Sequence, residues 1–285
     1  MTIEEQLSTR VRELPLVFLD LETTGLKPEA GDEILEFGAV KTVGDQQTAE
    51  MDTLIKPTRP IPPEAAKVHG ITDLFVMGSP SFEMAADEIL TFIGDAVIVA
   101  HNAPFDAGFL ATGLQTAGKK IPGNLVLDTL SLARTLMPAS PNHKLETLKR
   151  HFGVVVDRAH RALDDSRALA RVFSRMLEKH FHAIDGGPTL AEVVARAVPL
   201  LRLIDFADGL PFKVPEMRAL ARWAIREKTE LLVGHLPPGR PGLEEVRLVP
   251  TEVTAGKKPE LKGTVKGTGK EIALAVPQIR SIRKG

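Results

Sequence analysis

The chain has 285 residues, of which 43% are hydrophobic, enough to bury a core for one large domain and a smaller one. It contains no cysteine, which excludes disulfides, thiolate metal sites and thiol nucleophiles and suits a reducing compartment. The formal charge of −1 hides a division, because residues 211–285 hold 15 Lys and Arg against 8 Asp and Glu, a net +7, which leaves −8 on the remainder. An acidic body with a basic tail fits a cation-binding site beside a region that meets phosphate backbones, and it equally fits a small β-domain with surplus lysine. The polar, acidic start MTIEEQLSTR lacks the order of a signal peptide, and no apolar run approaches a membrane span. A cytoplasmic protein without membrane contact is expected.

Residues 14–21 (LPLVFLDL) form a short apolar run ending in acids and read as a buried strand, continued by strands over 33–43 and 48–55. Pro62-Pro63 opens a short helix ending at Val68-His69-Gly70, and residues 82–93 have helical apolar spacing. Residues 96–100 (AVIVA) read as a second core strand, followed by a helix that starts near Pro104 and runs to about 117. A strand at 125–127 precedes helical patterns at 129–136, 144–152 and 163–181. Strands first and helices later imply a mixed sheet with helices on its faces. Asp185-Gly186-Gly187-Pro188 marks a domain boundary, giving domains 1–185 and 186–285. Beyond it, helices are expected at about 189–206 and 215–228, then the short strands LLVGHL, EEVRLVP, LKGTV and EIALAV of a small β-barrel.

The strand period of two places Asp20 and Glu22 on one face, roughly 7 Å apart, so both carboxylates can converge on one ion. Left bare they would repel each other, and a divalent cation is a natural partner. Asp106 lies in HNAPFD, in the first turn of a helix, where an acid also complements the helix dipole. His160 precedes a helix that opens with Asp164 and Asp165, and the residues alone do not separate these two acids.

The segments FLDLETTGL, HNAPFDAGFL and HRALDDS, in this order and at these separations, resemble the three motifs of the DnaQ-like exonuclease family, in the subgroup whose third motif is His, four residues, Asp. The resemblance covers residues 14–183, and PPEAAKVHGIT, Asp128-Thr129-Leu130 and KLETLKRHFGV agree with it. It implies an α/β, ribonuclease-H-like fold with a mixed five-stranded sheet. It also implies a 3′→5′ exonuclease with two Mg²⁺, or Mn²⁺ in their place, held by Asp20, Glu22, Asp106 and Asp165, with His160 as general base. The spacing to the histidine selects Asp165 over Asp164. Thr23, Thr24, Gly25 and Leu26 would border the terminal nucleotide, with Gly25 letting backbone come close. Val68 and His69 would wedge against the terminal base, and Asn102 and Phe105 flank Asp106.

Hard oxygen ligands suit Mg²⁺, and a histidine whose ordinary pKa is about 6.5 suits proton removal from water near neutral pH. The expected substrate is nucleic acid with a free 3′ end, DNA in preference to RNA and single-stranded or frayed, in proofreading or repair. The chain is too short to contain a replicative polymerase, so proofreading would need a polymerase partner. RNA trimming is the alternative, and a non-catalytic nucleic-acid or ligand sensor is a further one that the five intact residues disfavour. Residues 218–282 are similar to a WYL domain, an Sm-like barrel, although the chain has no tyrosine and His235 stands near where the naming Tyr is expected. Ligand residues are therefore not carried over from that family. Arg247, Lys257, Lys258, Lys262, Lys266 and Lys270 make nucleic-acid contact an expectation for this region.

Overall fold

The computed structural model describes residues 1–155, 161–196, 201–206, 215–235, 244–254, 260–275 and 279–284. His160 lies outside the described residues. The chain divides into two compact units, one comprising Met1–Ala197 with Arg202–Phe212, the other Val198–Leu201 with Lys213–Gly285.

In the first unit, after helix α1 (Ile3–Ser8), the apolar run becomes strand β1 (Pro15–Thr23), whose residues from Leu16 to Leu19 are buried. It pairs antiparallel with β2 (Ile34–Val43), and β2 in turn with β3 (Gln46–Leu54). The polar, largely exposed sequence of β3 blunts a sheet edge. Helices α2 (Pro63–His69), α3 (Asp73–Val76) and α4 (Phe82–Ile93) follow. Strand β4 (Val97–Ala100) then pairs parallel with β1, and after α5 (Ala103–Thr116), β5 (Leu125–Asp128) pairs parallel with β4. Every residue of β4 and β5 is buried, as befits strands covered on both faces. Helices α6 (Thr129–Leu136), α7 (Leu145–Phe152) and α8 (Ala162–Phe181) complete the layers, with Phe173 of α8 packed on Phe18 of β1 at 5.5 Å between ring centroids.

The helix expected over 189–206 is not formed. Residues Leu190–Val194 make the short α9, and a two-residue strand β6 (Leu201–Arg202) then joins the sheet as a sixth strand, in the order β3-β2-β1-β4-β5-β6. A 3₁₀ turn, Leu203–Phe206, follows. The Gly186-Gly187-Pro188 turn is pinned to the first unit: the Arg10 guanidinium donates to the carbonyls of Asp185 and Gly187, and Val11 N–H donates to that of Pro188.

The second unit holds helix α10 (Pro215–Arg226) and strands β7 (Leu231–His235), β8 (Glu244–Val253), β9 (Glu260–Val265), β10 (Glu271–Ala275) and β11 (Ile279–Lys284). The strands form one antiparallel sheet in the order β10-β9-β8-β7-β11. Its buried side chains include Leu231, Val233, Leu248, Leu261 and Leu274, with Ala221, Trp223 and Ala224 of α10.

Candidate active site

β1 and β2 determine where the acids stand. Asp20 is opposite Gly38 and Glu22 is opposite Glu36. A Cβ on Gly38 would lie 2.1 Å from backbone atoms of Ala162 and Leu163, so the missing side chain is what lets the first turn of α8 rest on β2 beside Asp20. Ser166 Oγ donates to the Gly38 carbonyl at 2.8 Å and fastens that approach. Glu36, fully buried, accepts from the Arg161 guanidinium at 2.8 and 2.5 Å and from Ala162 N–H at 3.0 Å. A buried carboxylate with three donors is well satisfied, and it fixes the residue immediately before α8. Gly38→Ala is expected to lower stability by about 3 kcal/mol or more, because the colliding atoms are backbone and cannot rotate away. Thermal denaturation checks this, and a melting temperature equal to wild type would refute the close-contact account.

With α8 so placed, Asp20, Glu22 and Asp165 each offer a carboxylate oxygen within 4.8 Å of the others. The two neighbouring acids at the head of α8 part company. Asp164 turns to Arg167 at 2.9 Å, whereas Asp165 joins the cluster and meets Lys149 Nζ at 3.4 Å. Asp106, buried in the first turn of α5, stands outside this group of three. Burial, followed by Asp106, Glu22 and Asp165, holds the Asp20 carboxyl well above its ordinary range. Burial also raises Asp106, with the nearby backbone N–H groups of Asp106 and Leu21 opposing. Glu22 is pushed up to about 8, by burial first and then by Glu36 and Asp165, with Arg161 opposing. Acids crowded at this cost form a donor set of hard oxygens that fits a divalent cation such as Mg²⁺ or Mn²⁺.

The cluster opens into a cleft of about 560 Å³. Thr23, Thr24, Gly25, Leu26, Val68, His69 and Phe105 line it, together with His101, Lys144, Leu145 and Glu146. Leu26 and Val68 are strongly exposed at 71% and 60%, apolar surfaces against which a base could lie. The Thr23 and Thr24 hydroxyls serve the turn itself: Thr23 Oγ1 donates to the Gly25 carbonyl at 2.6 Å, and Thr24 Oγ1 accepts Glu33 N–H at 2.9 Å. The space beside Gly25 is filled by the Asp32 carboxylate, 2.3 Å from where a Cβ would sit, so a side chain there would have to displace that carboxylate. His69 is buried rather than a solvated helix end, with Nδ1 accepting Ile71 N–H at 3.0 Å. Phe105 lines the cleft and packs on Phe109 at 4.9 Å between centroids. Asn102 does not line it, being the exposed left-handed residue (φ 71°) that starts α5.

Several contributors escape sequence reasoning. Asp128 accepts the backbone N–H groups of Asn102, Ala103, Leu130 and Ser131, capping α6 and anchoring the start of α5, the helix that carries Asp106. His101 joins the Thr129 hydroxyl (2.9 Å) to the His143 carbonyl (2.8 Å), and burial lowers its pKa. Lys149 shows in the sequence only as one cation of a helical run. A larger cavity of about 700 Å³ between α8 and the β1-β2 face is walled by Arg12, Arg167, Arg171 and Arg175 and contains none of the clustered acids.

A mixed sheet whose middle strand delivers paired acids to the head of a covering helix defines the class, a ribonuclease-H-like nuclease domain. Comparison with known proteins places the chain within it: the sequence model of the Exonuclease family, RNase_T, matches residues 17–173, and the chain belongs to that DnaQ-like family. The DNA polymerase III subunit epsilon of Treponema pallidum is 39% identical over 163 residues, 56% of this chain and 75% of that protein. The DNA polymerase III subunit epsilon-like protein of Rhodobacter capsulatus is 39% identical over 173 residues, 59% of this chain and 24% of the relative. The chain spans only 11% to 27% of the length of several curated relatives it matches, DNA polymerase III PolC-type proteins among them. The nuclease domain of 3′hExo, a DEDDh family member bound to rAMP, shares the fold with a TM-score of 0.52 at 21% identity, covering 60% of this chain and 95% of that one.

Proposed function

We propose that the chain is a 3′→5′ exonuclease that releases 5′-mononucleotides from single-stranded or frayed DNA ends, in proofreading or repair. The convergence of Asp20, Glu22 and Asp165 from distant segments at the mouth of one cleft carries this reading. These three would hold divalent cations, with Asp106 contributing to a second ion. Such a pair of cations, when bound, offsets phosphodiester charge and activates water as nucleophile. His160 would take the proton from the attacking water on a ring nitrogen. It directly precedes Arg161, whose guanidinium is fixed by Glu36. Leu26, Val68 and Phe105 would receive the terminal base, which must leave a duplex to fit between them.

The relatives' names support DNA over RNA and a separate polymerase as partner. No helix among the described residues is long and apolar enough to cross a membrane, and a cytoplasmic location is proposed with this role. The basic second unit would add contacts to phosphate, through exposed residues such as Arg247 and Lys270.

A panel of labelled single-stranded DNA, mismatched duplex and RNA, with Mg²⁺ or Mn²⁺ and across salt, tests these statements together. Mononucleotide release from the DNA 3′ end is expected, with His160→Ala slower by about 100-fold or more. Untouched 3′ ends would refute the activity, an intact rate in His160→Ala would refute the base, and faster RNA trimming would reverse the substrate preference. A salt dependence of DNA affinity unchanged in Arg247→Ala/Lys270→Ala would remove the second unit's role.

A further inference from the structure

Lys149 is a cation buried beside the acid cluster, to 4% exposure, and no step described above uses it. It projects from α7 toward the head of α8, with Nζ 2.6 Å from Glu146 Oε1 and 3.4 Å from Asp165 Oδ1. Glu146 lines the cleft. Arg161, another cation close to the cluster, is committed to Glu36, with Asp52 at 3.8 Å. Among the described residues, Lys149 thus stands within ion-pair reach of an acid of the group of three.

We propose that Lys149 is a resident counter-charge for the metal-free site, a positioning residue that holds Asp165 against the repulsion of Asp20 and Glu22 and thereby weakens the site's affinity for divalent cations. The inference rests on the reading of Asp20, Glu22 and Asp165 as cation ligands. The physical argument has two parts with opposite signs. Without a divalent ion, the ammonium offsets part of the charge crowded within 4.8 Å and orients one Asp165 oxygen. With a divalent ion, the same ammonium is a like charge a few ångströms away in a poorly screened setting, so its field opposes loading. The metal-free chain gains stability from Lys149, and the cation must compete with it.

A role limited to packing predicts the reverse, since loosening Asp165 would weaken cation binding. The two are separated by measuring Mn²⁺ binding to the full chain by calorimetry and electron paramagnetic resonance, in wild type, Lys149→Met, Lys149→Gln and Lys149→Arg. Removing the charge is expected to tighten Mn²⁺ binding about threefold or more. It is also expected to lower the melting temperature of the metal-free chain and to enlarge the rise that saturating Mn²⁺ produces. Lys149→Arg, which keeps the charge, is expected to bind as wild type does. Lys149→Gln retains a hydrogen-bond donor and is read in place of Lys149→Met should the latter not fold. Unchanged or weaker Mn²⁺ binding in the neutral variants, beside saturable binding in wild type, overturns the role of Lys149 alone. The absence of saturable Mn²⁺ binding in wild type overturns the ligand reading and this inference with it.

Discussion

Asp20→Asn is expected to reduce mononucleotide release by about 10³-fold or more while raising the melting temperature of the metal-free chain. The opposing directions follow from one arrangement. Asp20 is the acid on which the others bear, its pKa held high by burial and then by Asp106, Glu22 and Asp165. An amide of the same shape removes a charge from that crowd, so folding gains what cation binding loses. Lost activity with unchanged or improved stability separates chemistry from misfolding. Asp164 supplies the matched comparison, being next to Asp165, equally near the head of α8 and bonded instead to Arg167. Asp165→Asn should fall with Asp20→Asn, and Asp164→Asn should stay within a few-fold of wild type. Equal losses at 164 and 165, or more than a tenth of activity surviving in Asp20→Asn, would dismantle the site assignment.

That contrast also marks how far the sequence could be read. Strand period was enough to put Asp20 and Glu22 on one face, because a period of two needs no partner. It could not reveal that Gly38 and Glu36 stand opposite them, since register belongs to the pairing of two strands. Asp165 and Asp164 differ by one helical step, and which of them meets β1 depends on where α8 touches the sheet, a contact set by the missing Cβ of Gly38. Asp128 stood in the sequence only as part of a segment that agreed with the family, and it proves to hold two helix starts. The segment after Leu190 shows another limit, because apolar spacing suggested a long helix where a five-residue helix and a two-residue strand stand. Thr23 and Thr24 followed the first motif as expected for cleft residues, yet their hydroxyls are engaged in the turn, which sequence spacing has no means of showing.

The metal-free chain is expected to lose stability as pH rises from about 4.5 to about 8, and saturating Mg²⁺ is expected to abolish or reverse that slope. Glu22 gives the window: its carboxyl ionises at the ordinary value near 4.5 in the unfolded chain and at about 8 in the folded one. Between these values the folded state binds the extra proton, so each step upward in pH favours unfolding. Below about 4.5 both states are protonated and above about 8 both are ionised, and Glu22 adds no further slope. Asp20 and Asp106, raised in the same sense, reinforce the loss. A divalent cation binds the ionised acids, so its contribution grows over the same interval in which the metal-free chain weakens. Melting temperatures in chelator at pH 5 and pH 8 should differ by about 5 °C or more, a span that corresponds to one or two kcal/mol in a chain of this size. Other carboxylates also titrate over part of this range, so the decisive comparison is Glu22→Gln in chelator. If its slope equals that of wild type, the crowding of Glu22 against Glu36 and Asp165 is not the cause. If the slope flattens, the acids are held together at a cost that a bound cation offsets, and the strain measured in the metal-free chain is the counterpart of the affinity with which the site takes its ions.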